Sequence, residues 1–159
     1  TKVNCPFITV HIHGQFVCCL LDMGQFCPIN IGVFNMFKVI IAGSREYRDY
    51  PQLAQACLHL LQNKPPELIE IVSGCARGAD TLGERFAHEW DFPIARFPAD
   101  WDRHGPSAGP LRNIQMAEYA DALIAFPIGK STGTRHMIHS ARERGLAVRY
   151  GTNVNGGVL

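Results

Sequence analysis

"IVSGCARGADTLGERFAHEW", residues 71–90, decides how the rest of the chain reads. An apolar, β-forming run closes on Ser73-Gly74, Arg77-Gly78-Ala79-Asp80 follow, and apolar residues then recur at helical spacing. Strand, glycine-containing turn and helix in that order form the building unit of parallel α/β proteins. The turn is richer than a connection requires. Glycine lets the main chain approach a ligand with no Cβ between them. An arginine fork matches two phosphate oxygens. Asp80 reads as the N-cap of the helix "DTLGERFAHEW", with Glu84 in its first turn.

Outward from that stretch the unit repeats. Upstream, "FKVIIAG" is a strand and "YPQLAQACLHLLQNKPP" a helix with Pro51 near its start, apolar residues at Leu53, Ala56, Cys57, Leu60 and Leu61, and a Pro-Pro stop. Downstream, "PIARFPA" is a strand, "PLRNIQMAEYA" a helix, "DALIAFP" a strand, "GTRHMIHSARERG" a helix ending in glycine, and "LAVRY" a last strand. The prediction is an α/β domain with a five-stranded, mainly parallel sheet and helices on both faces. In such sheets ligands bind beyond the carboxyl ends of the strands.

Those ends share a composition. They carry Gly43-Ser44-Arg45, then Ser73-Gly74 and Arg77 to Asp80. Next come Asp100-Trp101, a loop rich in Gly and Pro, and Arg112-Asn113 at a helix start. Last is "PIGKSTGTR" with Gly133 and Thr134. Helix N-termini present unpaired N–H groups and partial positive charge, which suits an anion, most commonly phosphate. Any one tip has a purely structural reading, because glycines make turns and Ser, Thr and Asp cap helices everywhere. Four tips enriched in the same way favour a phosphate-bearing ligand. "GKST" resembles the end of a P-loop, but the first glycine of that motif is absent, which excludes an ATPase of that type. Tyr47, Tyr50 and Trp101 are candidates for stacking on a base.

Composition sets the outer bounds. The 159 residues suffice for one ordinary domain with a core, and 47% hydrophobic with 18% charged residues reads as globular. A formal charge of +1 makes any basic site local. No apolar run approaches the roughly 18–20 residues of a membrane helix. Of six cysteines, four crowd into the first 27 residues, and the start has no long apolar leader. The thiols therefore read as reduced and the protein as cytoplasmic. Helix faces left apolar suit a homodimer, an expectation that one sequence leaves open.

"KVIIAGSREYRDY", "IVSGCARGADTLGERFAHEW", "PADWDRHGPSAGPLRNIQMAEYADALIAF" and "GTRHMIHSARERG" together resemble the YspA-type branch of the SLOG superfamily over about residues 36–150. SLOG proteins are Rossmann-like relatives of the DNA-processing protein DprA and of the lysine-decarboxylase-like LOG enzymes. The resemblance implies a pocket for nucleotides or nucleotide-derived ligands. It would use Gly43, Ser44, Arg45, Ser73, Gly74, Gly78, Asp80, Arg112, Asn113, Gly133 and Thr134. It offers three functions: a nucleotide sensor or binding module, a LOG-like nucleoside monophosphate N-glycosidase, and a DprA-like binder of single-stranded DNA.

Arg112 takes the place of the LOG arginine, but LOG enzymes follow Gly-Thr with glutamates, and here Arg135, His136, Met137 and Ile138 follow Gly133-Thr134. Glycosidic cleavage usually needs a carboxylate. Asp80, Asp100 or Glu118 are substitutes, and His136 a possible base, though its place on a first helical turn reads as solvated. The near-neutral charge and the lack of basic runs interleaved with aromatics argue against single-stranded DNA as a partner. The expectation is a nucleotide-derived small molecule as ligand, with no cofactor, no metal and no membrane.

The first 35 residues differ in character. "FITVHIHGQFVCCLLDMGQFCPINI" reads as two strands joined at His13-Gly14-Gln15 and a further strand-like run. Leu20-Leu21-Asp22-Met23-Gly24 weakly resembles the start of a retroviral-type aspartic protease, with Met23 where threonine belongs; no protease activity is expected. His11, His13, Cys18, Cys19 and Cys27 could be grouped as zinc ligands, but they contain no Cys-x-x-Cys pair. The segment reads as an N-terminal β-extension, native or fused, before a domain over residues 36–150. Residues 151–159 read as a flexible tail.

Overall fold

The computed structural model describes residues 8–12, 15–19 and 35–151. The chain divides into two units, Thr1–Asn35 and Met36–Leu159. In the first, β1 (Ile8–Ile12) and β2 (Gln15–Cys19) pair antiparallel, with Ile8 opposite Cys19 and Ile12 opposite Gln15. The strand-like run expected after them, the Leu20–Gly24 motif, His13 and Cys27 lie outside the described residues, as does the tail beyond Gly151.

The second unit alternates strand and helix. Its elements are β3 (Phe37–Gly43), α1 (Tyr50–Leu61), β4 (Ile69–Ser73), α2 (Ala79–Glu89), β5 (Ile94–Arg96), α3 (Trp101–His104), α4 (Ala108–Tyr119), β6 (Ala122–Phe126), α5 (Thr132–Glu143) and β7 (Ala147–Tyr150). Short 3-10 turns lie at Pro66–Leu68 and Gly105–Ser107. The strand order is β5-β4-β3-β6-β7, and every neighbouring pair is parallel. The chain builds outward from β3 through β4 to β5, then crosses back to β6 and continues to β7. That reversal opens a crevice beyond the carboxyl ends of β3 and β6, where Gly43 pairs with Phe126.

Strand periodicity divides the core in two. Val39, Ile41, Ile71 and Ile124 pack with Leu53, Cys57 and Leu60 of α1 and Phe86 of α2. Their strand neighbours Ile40, Ala42, Val72, Leu123 and Ala125 point the other way, against Met116 and Ala117 of α4 and Met137 and Ala141 of α5. Burial on both faces explains the nearly unbroken apolar runs of β3, β4 and β6. The expected stripe of α1 is the buried one: Leu53, Ala56, Cys57, Leu60 and Leu61. Each large member stabilises the fold by about 1.5–3 kcal/mol. Burial pushes the Cys57 thiol far above its ordinary range. Asp49 caps α1 by accepting the Gln52 N–H at 2.9 Å. After α5, Gly145 turns the chain at φ +73 and donates its N–H to the Arg142 carbonyl.

Three local expectations are corrected. Asp80 is not the N-cap of α2: Gly78 holds that position at φ +82, and Asp80 lies within the first turn. A Cβ at Gly78 would come within 2.7 Å of the Arg45 carbonyl carbon, so the chain enters α2 where only glycine fits. Glu84 lies beyond the first turn, where its carboxylate accepts from the Ser73 hydroxyl at 2.7 Å and pairs with Arg96 at 2.9 Å. The Gly- and Pro-rich loop is partly helical. Asp100 caps α3 by accepting the Arg103 N–H at 3.0 Å, and the 3-10 turn carries the chain into α4. Among the described residues, no helix is long and apolar enough to cross a membrane.

Candidate functional site

A cavity of about 650 Å³ occupies the crevice beyond β3 and β6. One wall is the turn after β3, Gly43-Ser44-Arg45. Gly43 sits where β3, β6 and α2 close together; a Cβ there would lie 2.8 Å from that of Ala79. Ser44 donates its N–H to the Phe126 carbonyl at 3.0 Å, and its own carbonyl accepts the N–H groups of Tyr47 and Ala79. The turn is thus tied to β6 and α2. Arg45 lines the cavity, is exposed, and makes no side-chain hydrogen bond or salt bridge among the described residues.

Asp80 and Arg112 form the polar base. Asp80 is 4% exposed and accepts the Ala76 N–H at 3.4 Å. Burial pushes its carboxyl up to about 6, against the opposing pull of Arg112 and of main-chain N–H groups of Ala76, Gly43 and Gly74. Arg112, from α4, donates Nη1 to the Gly74 carbonyl and Nε to Asn113 Oδ1 at 3.0 Å. Burial holds its guanidinium below the ordinary arginine range, with Asp80 acting in the opposite direction. Asn113 is 7% exposed. Its Nδ2 lies 3.3 Å from the Gly133 carbonyl and 3.3 Å from His136 Nδ1, which ties α4 to the first turn of α5.

The third wall is the entry to α5. Ser131 is its N-cap and accepts the Thr134 N–H at 3.4 Å. Lys130, Ser131, Thr132, Gly133 and Thr134 all line the cavity, and a Cβ at Gly133 would meet nothing within 4 Å. The helix N-terminus therefore borders the cavity with open space beside Gly133, while the Ser131 hydroxyl takes the Thr134 N–H. The last wall is apolar: Trp101, Pro106, Gly109 and Pro110, with Ile128 from the loop after β6. Trp101 is 49% exposed and Ile128 46%.

Of the expected site residues, Gly43, Ser44, Arg45, Asp80, Arg112, Asn113, Gly133 and Thr134 converge on this cavity. Ser73, Gly74, Arg77, Gly78 and Asp100 do not line it. Ser73 is buried and bonds Glu84 and the Cys75 N–H. Burial pushes the Glu84 carboxyl up, but hydrogen bonds from Ser73 and Arg96 outweigh it and leave a net downward shift. Gly74 leaves space for two side chains, since its Cβ would collide with the Arg112 guanidinium and lie 2.7 Å from Asp80 Oδ2. Arg77 is exposed, Gly78 begins α2, and Asp100 caps α3.

Of the three aromatic candidates, only Trp101 lines the cavity. Tyr47 is buried against Phe126 and bonds Gln52; Tyr50 bonds Glu89. Glu118 pairs with Arg144 away from the cavity. His136 departs from its solvated reading: it is half-buried and lines the cavity. Sequence reasoning did not pick out Ile128, Pro106, Pro110, Met116 or Met137 for the site. Only Ile128 carried a signal, as a large apolar residue beside Gly129 in a strand-to-helix loop.

The model of the YspA, cpYpsA-related SLOG family matches residues 37–104. The Gene 61 protein of Mycobacterium phage D29 is 40% identical over 121 residues, covering 71% of this chain and 94% of its own. Among solved structures, DNA processing protein A (DprA) from Streptococcus pneumoniae matches with a TM-score of 0.56 at 19% identity, over 76% of this chain and 52% of that one. This chain thus spans about half the length of that DprA. The protein TM1055 matches with a TM-score of 0.52 at 20% identity, over 71% of this chain and 72% of that one. At these identities the two structures share the fold. The expectation against single-stranded DNA gains no support from a fold shared with a DNA-processing protein.

Proposed function

The chain belongs to the YspA, cpYpsA-related SLOG family, and from that premise we propose that it binds a nucleotide or nucleotide-derived ligand in the cavity at the β3–β6 crevice. The observation that carries this reading is the convergence of the α5 N-terminus, open beside Gly133, with three cations, Arg45, Arg112 and Lys130, around one cavity. A volume of about 650 Å³ suits a small molecule of this size, since ligand pockets run from about 300 to 1,000 Å³. The phosphate rests on the main chain of Thr132 and Gly133 at the α5 entry, with Lys130 and Arg45 neutralising its charge. Asp80 and Asn113 are the groups suited to ribose hydroxyls, one as acceptor and one as donor or acceptor.

Recognition has more support than hydrolysis. Among the described lining residues Asp80 is the sole carboxylate, and it is already held by main-chain N–H groups. A glycosidase needs a carboxylate free to steady a cationic sugar or to activate water.

The test is a thermal-shift and calorimetric screen with AMP, ADP-ribose, NAD and cyclic nucleotides, followed by chromatography of the recovered ligand. Binding with the ligand returned intact is expected, and it should weaken on Arg45→Ala or Lys130→Ala substitution. Free base released from AMP would move the assignment to a hydrolase. Retention of an oligonucleotide at physiological salt, with no response to any small nucleotide, would move it to single-stranded DNA.

A further inference from the structure

The cavity is chemically divided. The stretch from Trp101 to Pro110 supplies Trp101, Pro106, Gly109 and Pro110, and the loop after β6 adds Ile128. Together these offer ring faces, methylenes and one indole, and no carboxylate, amide or hydroxyl side chain. The Trp101 ring lies beside Gly109, where a Cβ would touch it at 3.4 Å. Trp101 and Ile128 are two of the few large apolar side chains left exposed among the described residues, and both border the same cavity. The polar lining is the β3 turn, Asp80, Arg112 and Asn113 beyond Pro110 on α4, Lys130 beyond Ile128, and the first turn of α5 with His136.

Resting on the nucleotide reading above, we infer that Trp101, with Ile128 and the two prolines, holds the base of the ligand by its faces, so that the site is selective for phosphate and ribose but tolerant of base identity. Stacking is available to every base, because each has a π-face. Discrimination between bases comes instead from polar groups aimed at their edges, where an unmatched group leaves a buried partner unpaired. Apart from the indole N–H of Trp101, this wall carries no such reader. Trp101 and Ile128 both line the cavity and are about half exposed, and Ile128 offers a surface that dispersion alone can use.

The probes are AMP, GMP, CMP, UMP and ribose 5-phosphate, titrated calorimetrically against the full chain. The four nucleotides should bind within about tenfold of one another, with ribose 5-phosphate weaker by at least about tenfold. Trp101→Ala should weaken all four nucleotides by about tenfold and leave ribose 5-phosphate unchanged; Trp101→Phe should restore most of the difference. The chain has two tryptophans, and Trp90 packs on Phe86, away from the cavity. A Trp90→Phe chain therefore reports Trp101 alone, and its fluorescence should be quenched by each nucleotide and not by ribose 5-phosphate. If one nucleotide is preferred by more than about a hundredfold, or if Trp101→Ala weakens ribose 5-phosphate as much as AMP, the inference is overturned while the nucleotide reading stands. If neither the nucleotides nor ribose 5-phosphate bind, the inference is overturned, and the nucleotide reading falls with it when ADP-ribose, NAD and cyclic nucleotides also fail to bind.

Discussion

Asp80 and Arg112 are the two residues whose environment differs most from that of a surface charge. Burial raises the Asp80 carboxyl from 3.8 to about 6. The folded state therefore holds this proton to higher pH than the unfolded chain does. The associated stability is fully present below the unfolded value and is lost as pH rises through about 6. Urea melts of wild type and Asp80→Asn should show wild type losing about 2–3 kcal/mol relative to the variant across that window. Removing the cation instead sharpens the effect. Arg112→Met removes the positive charge that favours ionised Asp80 and leaves burial less opposed, so the variant should be less stable than wild type when the carboxylate is ionised. The loss should be large at about pH 8 and small at about pH 5, where Asp80 takes up its proton. Both residues were legible as site candidates in the sequence. Their proximity was not, because 32 residues of chain separate them and it depends on Gly74 leaving space for both side chains. The same blindness misplaced Asp80 as a helix cap: in sequence it stands where a cap belongs, but Gly78 supplies a backbone angle that Asp80 does not need to provide.

At the scale of elements, α5 joins stability to binding with opposite signs. Gly133 lies in its first turn, where a Cβ meets nothing within 4 Å. Gly133→Ala should stabilise the unliganded protein by up to about 1 kcal/mol through helix propensity. It should also weaken nucleotide binding, since the added methyl stands where the ligand approaches the main chain. Thermal melts with and without AMP separate the two effects. Ser131→Ala should destabilise by about 1 kcal/mol through loss of the cap to Thr134. Periodicity and end signals identified α1, α2, α4 and α5, because each has an apolar stripe on a two-sided core. They missed α3: four residues with no buried member leave no periodic trace, and only the Asp100 cap marks it.

For the molecule as a whole, the unit from Met36 contains both core clusters and the full cavity lining. A chain beginning at Met36 is expected to unfold in one cooperative transition and to bind AMP as the full chain does, by circular dichroism melts and calorimetry. Loss of either would show that the first unit is needed for folding or binding. The sequence by itself determined that strand and helix alternate, that the sheet is parallel, and that glycines, hydroxyls and cations gather at strand ends, because these are local patterns written in consecutive residues. Only the tertiary structure decided which ends share a cavity. The chain reverses direction between β5 and β6, so the turns after β3 and β6 become neighbours, while Ser73 and Arg77 on the intervening β4 connection fall outside. That selection depends on strand order, and strand order follows from how the two sheet faces are covered rather than from any single stretch of residues.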